Sequence, residues 1–378
     1  MKIAVNTRFL LKDQLEGIGR FTYETLRRMV ADHPEHDFVF LFDRPFDPAY
    51  LMAPNVTARV VYPPARHPVL FWWWFEQSVP RVLQQEQADV FLSTDNFLSL
   101  QTSVPTVLVV HDLAFEHYPQ DMGRLVRKYY HYFMPRYAHK AQRIAAVSGY
   151  TKDDLVRQYG VAPEKIDVVY NGVNEEFSPL PESEQGRVRA QFSEGKPYFL
   201  FVGAIHPRKN LINLLRAYDL FRQRTDRPVR LLIAGRKGWH TDEIFQTWQS
   251  LAFQEDVVFL GRVAQTDLPR LYGAAEALAY VPYFEGFGIP VIEAQQCGCP
   301  VVTSDVSSLP EVAGEAALLV DPFQPEAIAA ALTRLAQEPA LAAQLRRAGL
   351  ANVRRFSWNQ SAQQLWATLC RTSGLNER

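Results

Sequence analysis

Two glutamates, Glu285 and Glu293, bracket the run EGFGIPVIE, and a cation pair, Arg208 and Lys209, stands in HPRKN at 206–210. Each carboxylate can accept two hydroxyl hydrogen bonds, which suits the vicinal diols of a sugar ring or a ribose. Gly286 and Gly288 let backbone approach a ligand closely. Pro290 suits the first turn of a helix, where its missing N–H costs nothing. The N–H groups around Phe287, Gly288 and Ile289 then become candidate donors. Arg208 and Lys209 follow YFLFVGAI and precede LINLLRAYDLF, so they fall at a strand-to-helix turn. A helix start already favours an anion, and two cations strengthen that preference. Taken alone, the pair reads as ordinary solvated charge. Taken with the glutamates, the groups fit a polyol that carries an anion, as a nucleotide sugar does.

Two weaker signals lie in the first half. His111 ends the apolar run of VVHDLAFEHYP, where it can donate, accept or carry a proton near neutral pH. It reads equally as a hydrogen-bonded strand-end histidine, and Asp112 as a cap of the turn. Gly17 and Gly19 of LEGIGRFTYETL could bring backbone near a phosphate or sugar. They do not form the dinucleotide fingerprint, because Thr22 stands at the third glycine.

The elements that must position these groups alternate between short β-rich runs and longer helical patterns. The strand candidates are KIAVNTRF, FVFLFD, TARVVYP, DVFLST, TVLVVHDL, RIAAVS and IDVVYNGV, then YFLFVGAI, RLLIAG, VVFLG, LAYVP, CPVVTSD and AALLVDP. In IGRFTYETLRRMV, Ile18, Phe21, Leu26 and Met29 keep helical spacing. This alternation predicts an α/β fold of two doubly wound, Rossmann-like domains with parallel sheets covered on both faces. Ligands of such sheets bind beyond the carboxyl ends of the strands, where the motifs stand. The expected division is 1–178, a polar linker at 179–196, 197–356, and a last helix at 357–378 that returns to the first domain, with Ser357 as its N-cap.

The chain has 378 residues, 47% of them hydrophobic and 21% charged, with a formal net charge of -1. That length suits two domains, and that charge gives no field for nucleic acid. Cys297, Cys299 and Cys370 have neither disulfide-framework nor zinc-site spacing and read as buried thiols. MKIAVNTRFL lacks the apolar core of a signal peptide, and no apolar stretch is long enough to span a membrane. The expectation is a cytoplasmic protein.

EGFGIPVIE resembles the E-x7-E signature of the retaining glycosyltransferases of family 4, which have the two-domain GT-B fold. GIGRFTYETL, VVHDLAFEHYP, FVGAIHPRKNL, LGRVAQTDLPRLYGAAEALAYVP and VVTSDVSSLPEVAGEAALLVDP agree in order and spacing, so the resemblance covers nearly the whole chain. The GIGR and PRKNL forms are most similar to the mannosyltransferase-like branch of bacterial surface-polysaccharide synthesis. The resemblance implies that Arg208 and Lys209 hold the donor diphosphate and that Glu285 sits by the donor sugar. Backbone from Gly286 to Ile289 would contact sugar and phosphates, and Glu293 the ribose diol. His111 would touch the sugar from the other domain. Gly17 and Gly19 would line the cleft, and Arg262 and Val263 would meet the base. Ala204 replaces a basic residue common in relatives, and Glu16-Gly17 replaces a glycine pair. The implied reaction moves a hexose, with mannose as the branch-level guess, from a GDP- or UDP-type donor to a glycan or lipid-linked glycan. No D-x-D occurs, and neither a metal nor another cofactor is expected.

The acceptor side is less defined. PVLFWWWFEQSVPRVL at 68–83 carries Trp72, Trp73 and Trp74, at least two of which read as core. RLVRKYYHYFMPRYAHKAQR at 124–143 mixes basic and aromatic residues at near-helical spacing. It fits an anionic membrane surface or an interdomain helix with solvated charges. The alternative functions are a nucleotide-sugar epimerase or phosphorylase of the same fold, and a non-catalytic glycan-binding module.

Overall fold

The computed structural model describes residues 1–12, 15, 17–238 and 241–374. It divides into two compact units: Met1–Gly172 together with Ser357–Arg378, and Val173–Phe356. All thirteen strand candidates form strands among the described residues.

The first unit contains β1 (Lys2–Asn6), β2 (Asp37–Phe42), β3 (Val56–Val60), β4 (Val90–Ser93), β5 (Thr106–Val110), β6 (Arg143–Ala146) and β7 (Ile166–Val168). They form one parallel sheet in the order β3-β2-β1-β4-β5-β6-β7. The second unit contains β8 (Tyr198–Val202), β9 (Arg230–Ala234), β10 (Val257–Gly261), β11 (Ala277–Tyr280), β12 (Val301–Ser304) and β13 (Leu318–Val320). Their order is β10-β9-β8-β11-β12-β13, again all parallel. The inner strands are apolar along their middles because helices cover both faces: Ile3, Ala4 and Val5 are fully buried, as are Leu231, Leu232 and Ile233.

In each sheet the winding reverses at its first strand. The switch points therefore lie between β1 and β4, and between β8 and β11. Loops leaving two such neighbours diverge to opposite faces and open a crevice at their carboxyl ends.

The helix Trp358–Ser373 packs in the first unit against the helix Gly17–Asp32. Trp366 stacks on His33 with ring centroids 3.7 Å apart, and Arg28 Nε donates to Asn359 Oδ1 at 2.5 Å. Ser357 precedes this helix, but its side chain makes no capping bond. The stretch expected as a linker at 179–196 instead contains the helix Glu182–Ser193, which belongs to the second unit. Val188 is its buried apolar anchor, and Arg189 donates to the Ala274 carbonyl at 3.1 Å.

The tryptophan run also differs from expectation. Only Trp74 is core, fully buried, with its indole N–H donating to the Val61 carbonyl at 2.9 Å. Trp72 and Trp73, at the end of the helix Pro68–Trp73, are 40% and 47% exposed. The three cysteines are buried free thiols. Among the described residues no helix is long and apolar enough to cross a membrane.

Candidate active site

The site assembles at the switch point of the second unit. After β8 the chain makes a 3-10 turn, Pro207–Lys209, and Asn210 then takes a left-handed conformation (φ +59°) before the helix Leu211–Gln223. Asparagine is among the few residues that tolerate this region. Its carboxamide fixes the turn by donating to the Val281 carbonyl at 2.8 Å and the Pro322 carbonyl at 2.7 Å. His206 Nδ1 accepts from the Arg208 N–H at 3.2 Å, and the Tyr283 N–H donates to the Arg208 carbonyl at 3.0 Å. The cation turn is thus tied to the loop after β11.

That loop brings Glu285 to the cations. Its Oε1 contacts Lys209 Nζ and lies 3.2 Å from Arg208 Nη1. Arg208 Nη1 also donates to the Phe284 carbonyl at 2.7 Å, and Lys209 Nζ to the Tyr280 hydroxyl at 2.8 Å. The turn after β12 holds the loop from the other side. Ser307 Oγ accepts from the Glu285 N–H at 3.1 Å, and Ser308 Oγ donates to the Glu285 and Phe287 carbonyls, each at 2.9 Å. Burial pushes the Glu285 carboxyl up, but attraction to Lys209 and Arg208 outweighs it, so its pKa lies below the ordinary value. The group is a carboxylate locked between two cations.

Glu293 lies one turn further, on the helix Ile289–Gln296. It is 7% exposed and accepts from the Tyr272 hydroxyl at 3.0 Å. Gly288 caps this helix at φ +102°. Phe287 is a core side chain, set edge-on to Phe356 at 5.5 Å, so only its backbone can serve a ligand. Arg262 and Val263 follow β10, the edge strand, and Arg262 is exposed there.

The first unit has a polar switch point of its own. Arg8, beyond β1, pairs with Asp95, beyond β4, and both are buried. Phe71, Phe75 and Phe97 lie around the guanidinium, at 5.3, 5.3 and 4.5 Å. His111, beyond β5, donates its backbone N–H to Asn96 Oδ1 at 2.7 Å, and its Nε2 lies 2.8 Å from the Thr94 carbonyl. Its ring is edge-on to Phe21 at 5.3 Å. Desolvation lowers its pKa, so the imidazole is neutral at neutral pH despite the nearby Asp112 and Asp95. Asp112 accepts from the Ala114 N–H at 3.0 Å and stiffens the turn. Gly17 starts its helix at φ +36° and is exposed. Gly19 has a packing role: an added Cβ would lie 2.6 Å from the Phe9 carbonyl oxygen. Glu16 lies outside the described residues.

The fold is shared with crystallised Anabaena HepE in complex with UDP and glucose, at a TM-score of 0.74 and 19% identity over 98% of this chain and 99% of that one. A family model described as Glycosyltransferase Family 4 matches residues 15–177, and one described as Glycosyl transferases group 1 matches residues 182–351. The chain belongs to the family 4 glycosyltransferases of GT-B fold. Among curated relatives, the O-antigen chain mannosyltransferase B of Escherichia coli is 27% identical over 94% of this chain and 96% of its own length. The O-antigen chain mannosyltransferase RfbU of Salmonella typhimurium is 30% identical over 61% of each chain.

In this glycosyltransferase, four partners of the candidate residues have no signature in the sequence: Tyr280, Tyr272, Ser307 and Ser308. Tyr280 ends β11 and Tyr272 lies on the helix Leu268–Ala274, where each reads as an ordinary core aromatic. The serines stand in VVTSDVSSLPEVAG, a stretch whose resemblance was visible but whose contact with Glu285 was not. Arg8 and Asp95 gave no signal, since neither belongs to a motif.

The cap at Gly288 yields a direct expectation. An alanine there would occupy a backbone region that costs about 1–3 kcal/mol for an L side chain. Its Cβ would also lie 2.7 Å from Leu309 Cδ2. Gly288→Ala is expected to lower the melting temperature of the second unit and reduce transfer together. Calorimetry and turnover measured on one preparation check it, and unchanged values in both would refute it.

Proposed function

We propose that this glycosyltransferase moves a hexose, mannose by the names of its relatives, from a nucleoside-diphosphate sugar to a hydroxyl of a glycan or lipid-linked glycan. The observation that carries this reading is the Arg208–Lys209–Glu285 cluster at the β8–β11 switch point. Arg208 and Lys209 bind the diphosphate. Glu285 accepts sugar hydroxyls, Glu293 the ribose diol, and backbone from Gly286 to Ile289 contacts both. His111 meets the sugar as a neutral hydrogen-bonding group. Gly17 and Gly19 serve the phosphate and acceptor side, and Arg262 and Val263 the base.

In the reaction the bond from the anomeric carbon to the phosphate oxygen breaks, and the diphosphate keeps the electron pair. The acceptor oxygen bonds to the same carbon from the same face and gives its proton to the departing phosphate oxygen, so configuration is retained. Negative charge grows on the diphosphate in the transition state, and fixed cations there lower the barrier. Neither a metal nor another cofactor enters this scheme.

Calorimetric titration with GDP, UDP and ADP, without added metal, is the test. One diphosphate is expected to bind in preference to the others and to identify the donor's base. If none binds, the donor reading fails and the glycan-binding alternative takes its place.

A further inference from the structure

We propose that the face built by the helices Pro68–Trp73 and Arg124–Lys140 docks on an anionic lipid bilayer. Nine large hydrophobic side chains are exposed among the described residues, and five of them stand on these two helices: Val69, Trp72, Trp73, Leu125 and Tyr132. The helices touch through Phe71 and Tyr129, whose rings lie 6.0 Å apart. Trp74 takes the core position, which leaves Trp72 and Trp73 outward, edge-on to each other at 6.2 Å. On the longer helix, Leu125, Lys128, Tyr132 and Arg136 share one exposed stripe, since residues three and four apart are neighbours on a helix.

Charge decides the occupant. The helix Arg124–Lys140 contains Arg124, Arg127, Lys128, Arg136 and Lys140 and no carboxylate. Among the described residues none of the five forms an ion pair with an acid. Glu116, which faces the helix, is taken by His131 at 2.9 Å and by the Tyr159 hydroxyl at 2.7 Å. Arg136 lies 3.7 Å from the Tyr132 ring centroid, so cation and aromatic present themselves together. A second copy meeting this face about a two-fold axis would set cations against cations. An anionic bilayer offers complementary headgroups, and its interface is where tryptophan and tyrosine rings are favoured. This extends the proposed function, because it brings the enzyme to the surface where a lipid-linked acceptor lies.

The test is co-sedimentation of the full chain with phosphatidylcholine vesicles, with and without phosphatidylglycerol, at low salt. Binding to the anionic vesicles should be at least about tenfold stronger and should fall with salt, because surface charge is screened. Two double variants, Trp72→Ser with Trp73→Ser and Lys128→Glu with Arg136→Glu, should each lose about tenfold in binding, by removing the insertion or the attraction. Both should melt as the wild type does and bind nucleoside diphosphate unchanged, which separates this proposal from the donor reading. No preference for anionic vesicles, or variants that bind like wild type, would overturn it. So would a dimer in solution that the same substitutions dissociate.

Discussion

Glu285→Gln should reduce sugar transfer by about a hundredfold or more while leaving free nucleoside diphosphate bound at least as tightly as in the wild type. The carboxylate is the fixed counter-ion of Lys209 and Arg208. A diphosphate entering the site must compete with it for those cations. Glutamine keeps the shape and removes the charge, so the cations become more available to phosphate. It also removes the ionised acceptor that the sugar hydroxyls need. Lys209→Ala should behave differently, losing both diphosphate affinity and turnover, since it deletes the cation and leaves Glu285 buried with less compensation. Turnover and diphosphate titration on the two variants check the contrast. Glu285→Gln within a few-fold of wild-type transfer would remove Glu285 from the chemistry. Acid should act in the same direction as the substitution. The folded pKa of Glu285 is lowered, so its ion pairing contributes stability above the ordinary carboxylate range and loses it as pH falls through the folded value.

Trp358→Ala is expected to cost the first unit about 3–5 kcal/mol, the usual range for truncating a buried large aromatic. Trp358 is 2% exposed, and its ring meets the edge of Phe21 at 6.2 Å. Gly172 lies so close that a Cβ there would sit 2.3 Å from the Trp358 backbone nitrogen and 2.6 Å from Cγ of its ring. Few atoms can shift to refill the space. Thermal unfolding should show the loss in the transition of the first unit, with diphosphate binding by the second unit preserved below that transition. A change within about 0.5 kcal/mol, as for an ordinary surface substitution, would mean that the helix is an appendage rather than part of the core.

The strands were legible because a parallel sheet buried on both faces writes itself as short apolar runs. RLLIA and YFLFV leave little else to be. The helix Glu182–Ser193 was not legible for the opposite reason. ESEQGRVRAQFS has one buried large apolar residue, Val188, so no helical period stands out from a polar background. The cations and Glu285 could be proposed to share a ligand, because each follows a strand. Their direct pairing could not, since it depends on β8 and β11 being neighbours although two strands separate them in sequence. Tyr280 and Tyr272 were hidden similarly, as core aromatics whose hydroxyls happen to point at site groups. In the tryptophan run, identical residues have different fates. Composition cannot say which of Trp72, Trp73 and Trp74 the helix turns inward.

The path of the chain sets an order of events during translation. The first unit is left at Gly172 and regained at Ser357, so the whole of Val173–Phe356 is an insertion within it. A ribosome making this protein delivers the seven strands of the first sheet and then all of the second unit. Only afterwards does it release the helix that seals Phe21 and stacks Trp366 on His33. Domains ordinarily mature from the N-terminus onward. Here the unit begun first can be completed only after the unit begun second has been made.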